Sequence, residues 1–248
     1  MSLEALPPTI PHAAALAAAR WGDAPALLEH GEVWSFNQLW AKCREAASAL
    51  LARGVGEGDR IAIWAPNSRE WVVAAVAAMT CGAAIVPLNT RLKGREAGDI
   101  LRRTNARMMF TVQSFLGIDY PALLSAEDVP DLAETVLLDS DFSAFLASGQ
   151  GGEDAGVDAA LARLTADHLS DILFTSGTTG VPKGVMMTYG RVIPQCGVWI
   201  GNTGLSAGER YLIVNPFFHS FGFKVGWVAC LISGAVIVPM PQFDLATA

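Results

Sequence analysis

With 248 residues the chain can form one large α/β domain or two smaller ones, and its 17% of charged residues falls below the roughly 25% of an average soluble domain. A net charge of −7 and the lack of any long Lys/Arg block argue against nucleic acid or an anionic membrane surface as the main partner and leave small molecules. The 52% hydrophobic content fits either a piece of a larger body, whose apolar surface meets further chain, or a plain alanine-rich globule.

Residues 1–20 carry Glu4 and no basic stretch ahead of their alanines, so they do not read as a signal peptide. Ser35-Phe-Asn-Gln38 has capping-box spacing, and Leu39, Cys43, Ala46 and Leu50 follow at helical intervals until Gly54 closes the segment. Residues 60–64 read as a strand, Pro66-Asn67-Ser68 as a breaker, 70–80 as a second helix ending at Gly82, and 83–86 as a short buried strand. Further strands are expected at 108–112 and 135–138, giving the alternation of an α/β sheet with helices on its faces. The Ser/Gly/Asp-rich stretch 140–156 reads as a linker or surface loop near the main internal boundary. The apolar runs 72–88 and 225–240 are shorter than a membrane helix needs and are broken by Gly and Pro, so each reads as a buried helix turning into a buried strand. Cys43, Cys81, Cys196 and Cys230 lack metal-ligand spacing and are expected as buried free thiols, which fits a reducing cytoplasm.

An internal repeat runs through the chain. Gly58-Asp-Arg-Ile-Ala-Ile63 with Pro66 matches Gly208-Glu-Arg-Tyr-Leu-Ile213 with Pro216, and Gly82-Ala-Ala-Ile-Val-Pro-Leu88 matches Gly234-Ala-Val-Ile-Val-Pro-Met240, in the same order. Two related αβ subdomains are expected, 1–165 and 166–248.

The chemistry lies in Asp171-Ile-Leu-Phe-Thr-Ser-Gly-Thr-Thr-Gly-Val-Pro-Lys-Gly184. An apolar strand runs into a stretch carrying Gly177, Gly180 and Gly184, the hydroxyls of Thr175, Ser176, Thr178 and Thr179, and the cation Lys183. Glycines let backbone N–H groups approach an anion, hydroxyls donate further hydrogen bonds and the lysine adds a point charge, so the composition suits a polyphosphate. A P-loop requires Gly before the lysine and Ser or Thr after it. Pro182 and Gly184 stand there instead, which rules it out.

The stretch from Thr175 to Gly184 resembles, residue for residue, the signature loop of the adenylate-forming superfamily, which includes acyl- and aryl-CoA synthetases, peptide-synthetase adenylation domains and beetle luciferases. The segment 79–93 and Asn215-Pro-Phe-Phe-His-Ser-Phe-Gly222 resemble two further family segments in the right order. The resemblance implies the α/β fold of an acyl-adenylate synthetase N-terminal domain, with the second subdomain incomplete and the C-terminal lid domain absent. By the same resemblance, Thr175, Ser176, Gly177, Thr178, Thr179, Gly180 and Lys183 would bind the ATP phosphates, with Thr178 near Mg²⁺. Lys183 and His219 would be the catalytic side chains. Phe218, His219, Phe221, Gly222 and Phe223 would shape the acyl pocket, His219 standing beside the acyl carboxylate and the route for CoA. His-Ser-Phe-Gly-Phe-Lys is similar to CoA ligases acting on steroid-ring-derived acids, although Lys224 by itself reads as a surface lysine.

The implied reaction joins a carboxylic acid to ATP as acyl-AMP, releasing pyrophosphate, and then passes the acyl group to CoA. The family's Tyr-Gly-x-Thr-Glu stretch, with its Mg²⁺ carboxylate, and its ribose-binding Asp do not occur before Ala248, so this polypeptide alone is expected to be inactive. A peptide-synthetase adenylation domain, a luciferase-like enzyme and a non-catalytic nucleotide-binding half-domain stay open as alternatives. No nucleic-acid partner and no transmembrane segment are expected, and a homodimer is compatible with the sequence.

Overall fold

The computed structural model describes residues 6–149, 154–175 and 182–242. Helix α1 (Ile10–Trp21) is followed by a hairpin of β1 (Pro25–Glu29) and β2 (Glu32–Ser35), then α2 (Phe36–Ala52), β3 (Arg60–Trp64), α3 (Arg69–Thr80), β4 (Ala84–Pro87), α4 (Gly94–Thr104) and β5 (Met108–Thr111). A small hairpin of β6 (Ser114–Phe115) and β7 (Ile118–Asp119) precedes α5 (Tyr120–Leu124), β8 (Glu134–Leu137), α6 (Phe142–Ala147) and α7 (Asp154–Arg163). Strands β9 (Leu169–Thr175) and β10 (Lys183–Thr188) lead to α8 (Tyr189–Thr203), β11 (Arg210–Ile213), α9 (Ser220–Gly222), a π-type segment (Phe223–Val228), α10 (Ala229–Ser233) and β12 (Val236–Pro239).

A six-stranded sheet has the order β10-β9-β4-β3-β5-β8, with only β10 antiparallel to its neighbour. Its central strands β4 and β5 are buried at every position, as parallel strands covered on both faces must be. Helix α2 packs against α3, α6 and α7. The expected capping box is present: Ser35 Oγ accepts from Gln38 N at 3.2 Å while Gln38 Oε1 accepts from Ser35 N at 2.9 Å. None of the described helices is long and apolar enough to cross a membrane.

A second, four-stranded sheet has the order β11-β12-β1-β2. The repeat read from the sequence is a repeat of structure. Parallel β3 and β4 register Arg60 with Ala84 and Ile63 with Pro87, and parallel β11 and β12 register Arg210 with Val236 and Ile213 with Pro239. The bonds that close each unit correspond: Ala84 N donates to Asp59 O and Leu88 N to Ile63 O, as Val236 N donates to Glu209 O and Met240 N to Ile213 O. Gly82 and Gly234 end the helices of the two units with φ of +89° and +82°, where a side chain would be strained.

The strand pairings cross the division expected at residue 165. β9 and β10 join the sheet of β3 to β5, because Ser170 to Ile172 are buried and need partners on an interior strand, while β1 pairs with β12 through Leu27 and Ile237. The stretch 140–156 is not a plain linker either. Phe142, Phe145 and Leu146 lie at helical spacing on α6 and are buried, with the Phe142 and Phe145 rings 6.2 and 5.3 Å from that of Phe110. Phe142, Phe145 and Leu146 at i, i+3 and i+4 were the signal for that helix. Residues 150–153 lie outside the described part. All four cysteines are buried and free, and burial raises the thiol pKa of each.

Candidate active site

In open α/β sheets ligands bind beyond the carboxyl ends of the strands. Strand β9 runs parallel to β4 and ends there at Thr175, which is paired in register with Lys183 at the start of β10. Thr175 and Lys183 are both exposed. Ser176, Gly177, Thr178, Thr179 and Gly180 lie outside the described residues. Both flanks of the stretch are held by one side chain that sequence reasoning missed. Arg103, on α4, donates to Pro182 O at 2.9 Å, lies 5.1 Å over the Phe174 ring and pairs with Asp99 at 3.2 Å.

A cavity of about 350 Å³ opens at the carboxyl ends of both sheets, lined by segments that follow β4, β5, β11 and β12. Asn89 to Arg91 and Phe115, Leu116, Ile118 and Tyr120 form one side, and Val214, Pro216, Phe218, His219, Pro241 and Gln242 the other. The first side is fixed from below. Trp64 Nε1 donates to Asn89 O at 3.0 Å and Tyr120 OH to Thr90 O at 2.9 Å, with the two rings edge-on at 4.7 Å. Burial raises the Tyr120 pKa, so its hydroxyl stays a donor at neutral pH.

Of the expected acyl-pocket residues, Phe218 and His219 line this cavity, their rings 4.8 Å apart. His219 precedes α9, its N–H donating to Pro216 O and its carbonyl accepting from Phe223 N. Phe221 is exposed and meets Trp199 edge-on at 5.0 Å. Gly222 presses on the chain before it, where a Cβ would stand 2.3 Å from Asn215 O, and Phe223 stacks on Trp227 at 5.1 Å in the core. Neither Phe221, Gly222 nor Phe223 is among the cavity's described lining residues.

Lys224 is not a surface lysine. It is buried on the π-type segment, and its Nζ stands 3.0 Å from Oδ2 of Asp171, which is also buried, on β9. Burial raises the Asp171 carboxyl above the ordinary aspartate range, against the opposing pull of the Lys224 ammonium. The same two charges act on the buried Cys196 thiol of α8, which lies 3.0 Å from Lys224 O. An Asp directly before the apolar run Ile172 to Phe174 of a buried strand was the sequence signal that a cation must reach it.

Leu116 sits at the tip of the β6–β7 turn with φ of +53°, exposed at the cavity rim. The left-handed conformation costs a branched residue about 1 kcal/mol, which Asn largely avoids. Leu116→Asn is therefore expected to raise the thermal midpoint while removing apolar surface from the rim; an unchanged or lower midpoint in a melt would show that the leucine is better accommodated than its backbone implies.

A family model described as AMP-binding enzyme matches residues 15–248. The chain belongs to this family. Two relatives named 3-[(3aS,4S,7aS)-7a-methyl-1,5-dioxo-octahydro-1H-inden-4-yl]propanoyl:CoA ligase are similar to it. That of Mycobacterium tuberculosis is 42% identical over 90% of this chain and 45% of its own length, and that of Rhodococcus jostii 38% identical over 96% and 49%. The crystal structure of the inhibitor-bound N-terminal domain of FACL13 from Mycobacterium tuberculosis superposes with a TM-score of 0.84 at 25% identity, covering 97% of this chain and 59% of that one. The chain thus spans about half the length of the curated relatives it matches.

Proposed function

We propose that the chain is the nucleotide- and acid-binding half of an ATP-dependent acid–CoA ligase, which converts a carboxylic acid and ATP to acyl-AMP and pyrophosphate and then transfers the acyl group to CoA. The observation that carries this reading is the placement of Thr175 and Lys183 on the carboxyl edge that also bears the cavity with His219. A carboxylate is a poor electrophile, and its activation by in-line attack on the α-phosphorus needs positioning and charge neutralisation more than covalent chemistry. Lys183, with Thr175 and the hydroxyls and glycines of Ser176, Gly177, Thr178, Thr179 and Gly180, holds the phosphates, and Lys183 offsets negative charge as pyrophosphate leaves. His219 and Phe218 shape the wall against which the acid lies, and the cavity mouth admits the CoA thiol.

Mg²⁺ supplies charge neutralisation on the phosphates when bound. Among the described residues no group of three His, Cys, Asp or Glu could hold a metal ion, and Thr178, the residue expected beside the ion, lies outside them; an ion carried on the phosphates needs only one or two protein oxygens. The two relatives' names support a bicyclic propanoic acid, and an apolar cavity side of Phe115, Leu116 and Ile118 suits such a ring system.

The test is pyrophosphate release by the complete gene product with MgATP and a panel of fatty, aryl and ring-fused propanoic acids, with and without CoA, beside a Lys183→Ala variant and this 248-residue chain. Acid-dependent release, lowered about a hundredfold by Lys183→Ala and nearly absent from this chain alone, is expected, with thioester formed only when CoA is present. Absence of release with every acid would overturn the ligase reading.

A further inference from the structure

Asn67, a breaker in the sequence, is a residue through which the first repeat unit grips the backbone of the second. It stands just before α3, next to the N-cap Ser68, and is buried. Its Nδ2 donates to Ile213 O at 3.2 Å, Asn215 O at 3.0 Å and Met240 O at 3.1 Å, while its Oδ1 accepts from Phe217 N at 2.7 Å. All of these partners are backbone groups at or just beyond the carboxyl ends of β11 and β12. The orientation of the amide is set by its surroundings, since the reverse would aim Oδ1 at three carbonyls and Nδ2 at an N–H group.

This irregular segment satisfies only part of its own hydrogen bonding, as in His219 N to Pro216 O, because it leaves the β11 ladder at Ile213 and does not turn helical until Ser220. Among the described residues, Asn67 Oδ1 is the only partner of Phe217 N. The same segment supplies Val214, Pro216, Phe218 and His219 to the cavity. Where it runs is therefore decided by a side chain outside it. The repeat sharpens the point, because Asn67 and Phe217 follow equivalent prolines, Pro66 and Pro216, so the two equivalent turns meet each other.

We propose that Asn67 is a positioning residue for the acid: by fixing the carbonyls of Ile213, Asn215 and Met240 and the N–H of Phe217 it sets the place of Phe218 and His219 in the cavity. This rests on the ligase reading of that cavity. Asn67 lies outside the phosphate-binding stretch, so the acid and ATP parameters respond to it differently.

Two measurements test it. In the complete gene product, Asn67→Ala and Asn67→Ser are expected to lower kcat/KM for the acid by about a hundredfold, the order of loss produced by a displacement of about 1 Å, while KM for ATP stays within about twofold. In the 248-residue chain the same variants are expected to speed amide hydrogen exchange at Phe217 to Ser220 and leave α3 and β3 unchanged. Parallel loss for acid and ATP, exchange that quickens equally in α3 and β3, or failure of both variants to fold would make Asn67 a residue of the fold alone and overturn the inference. So would unchanged kinetics and exchange. If the wild-type product releases no pyrophosphate with any acid, the ligase reading falls, and the exchange pattern alone decides whether Asn67 positions this wall.

Discussion

Replacing Lys224 with methionine is expected to destabilise the protein by about 3–5 kcal/mol at neutral pH, because it leaves a buried carboxylate without its countercharge. Asp171 has no exposed surface and Lys224 Nζ is 3.0 Å from its Oδ2. The loss should depend on pH in a defined direction. The Asp171 carboxyl already titrates above the ordinary aspartate value, because burial outweighs the lysine. The folded chain thus holds this proton more tightly than the unfolded chain, and the group's contribution to stability falls as pH rises through the ordinary aspartate pKa towards the folded one. Removing Lys224 raises the folded pKa further and widens that window. Urea midpoints of Lys224→Met and wild type should nearly converge at about pH 4, where the carboxyl is protonated in the variant's folded state, and separate towards neutral pH. An equal deficit at every pH would show that lost packing, not the uncompensated charge, is responsible. Combining Asp171→Leu with Lys224→Met is expected to restore most of the stability, since a buried pair replaced by apolar groups often costs little.

Trp71→Ala should cost about 3–5 kcal/mol, the range for deleting a large aromatic from a packed core. Trp71 is fully buried on α3, with the rings of Phe217, Phe223 and Trp227 edge-on at 5.4, 6.2 and 6.0 Å. It joins the first unit to the aromatic core beside the cavity wall. Its Nε1 has no hydrogen-bond partner among the described residues. Trp71→Phe should therefore retain much of the stability, since it loses volume but no polar bond. Chemical denaturation of both variants decides this, and a phenylalanine variant as unstable as the alanine one would mean that the indole N–H has a partner or that the site tolerates no loss of volume.

Much of the first unit was legible because its elements are local. The capping box at Ser35, the strand at Arg60 and the helix leading to Gly82 each depend on neighbours within a few residues. The repeat was legible for the same reason, since identical turn and strand chemistry writes the same string twice. Strand exchange between the sheets was not, because pairing of Leu27 with Ile237 has no local signature. Lys224 was misread because a charged residue shows no partner in sequence, and Asp171 lies on a distant strand. Asn67 reads as a turn former, and nothing near it reveals that its amide serves backbone groups of the second unit. His219 and Phe218 were picked out by a family resemblance and share a cavity wall, while Phe223 at helical spacing from Trp227 is core.

The exchange of strands also bears on how the chain is made. Translation delivers the β1–β2 hairpin first, yet its parallel neighbour β12 is the last strand of the described chain to leave the ribosome. Loop-closure entropy makes such distant pairings late events, so for most of synthesis β1 offers an open edge with nothing to pair against. The six-stranded sheet can assemble as soon as β10 emerges, whereas the four-stranded one waits for β12. Nascent chains stopped between those points would carry one finished sheet and an orphaned hairpin, a species that chaperones and proteases recognise.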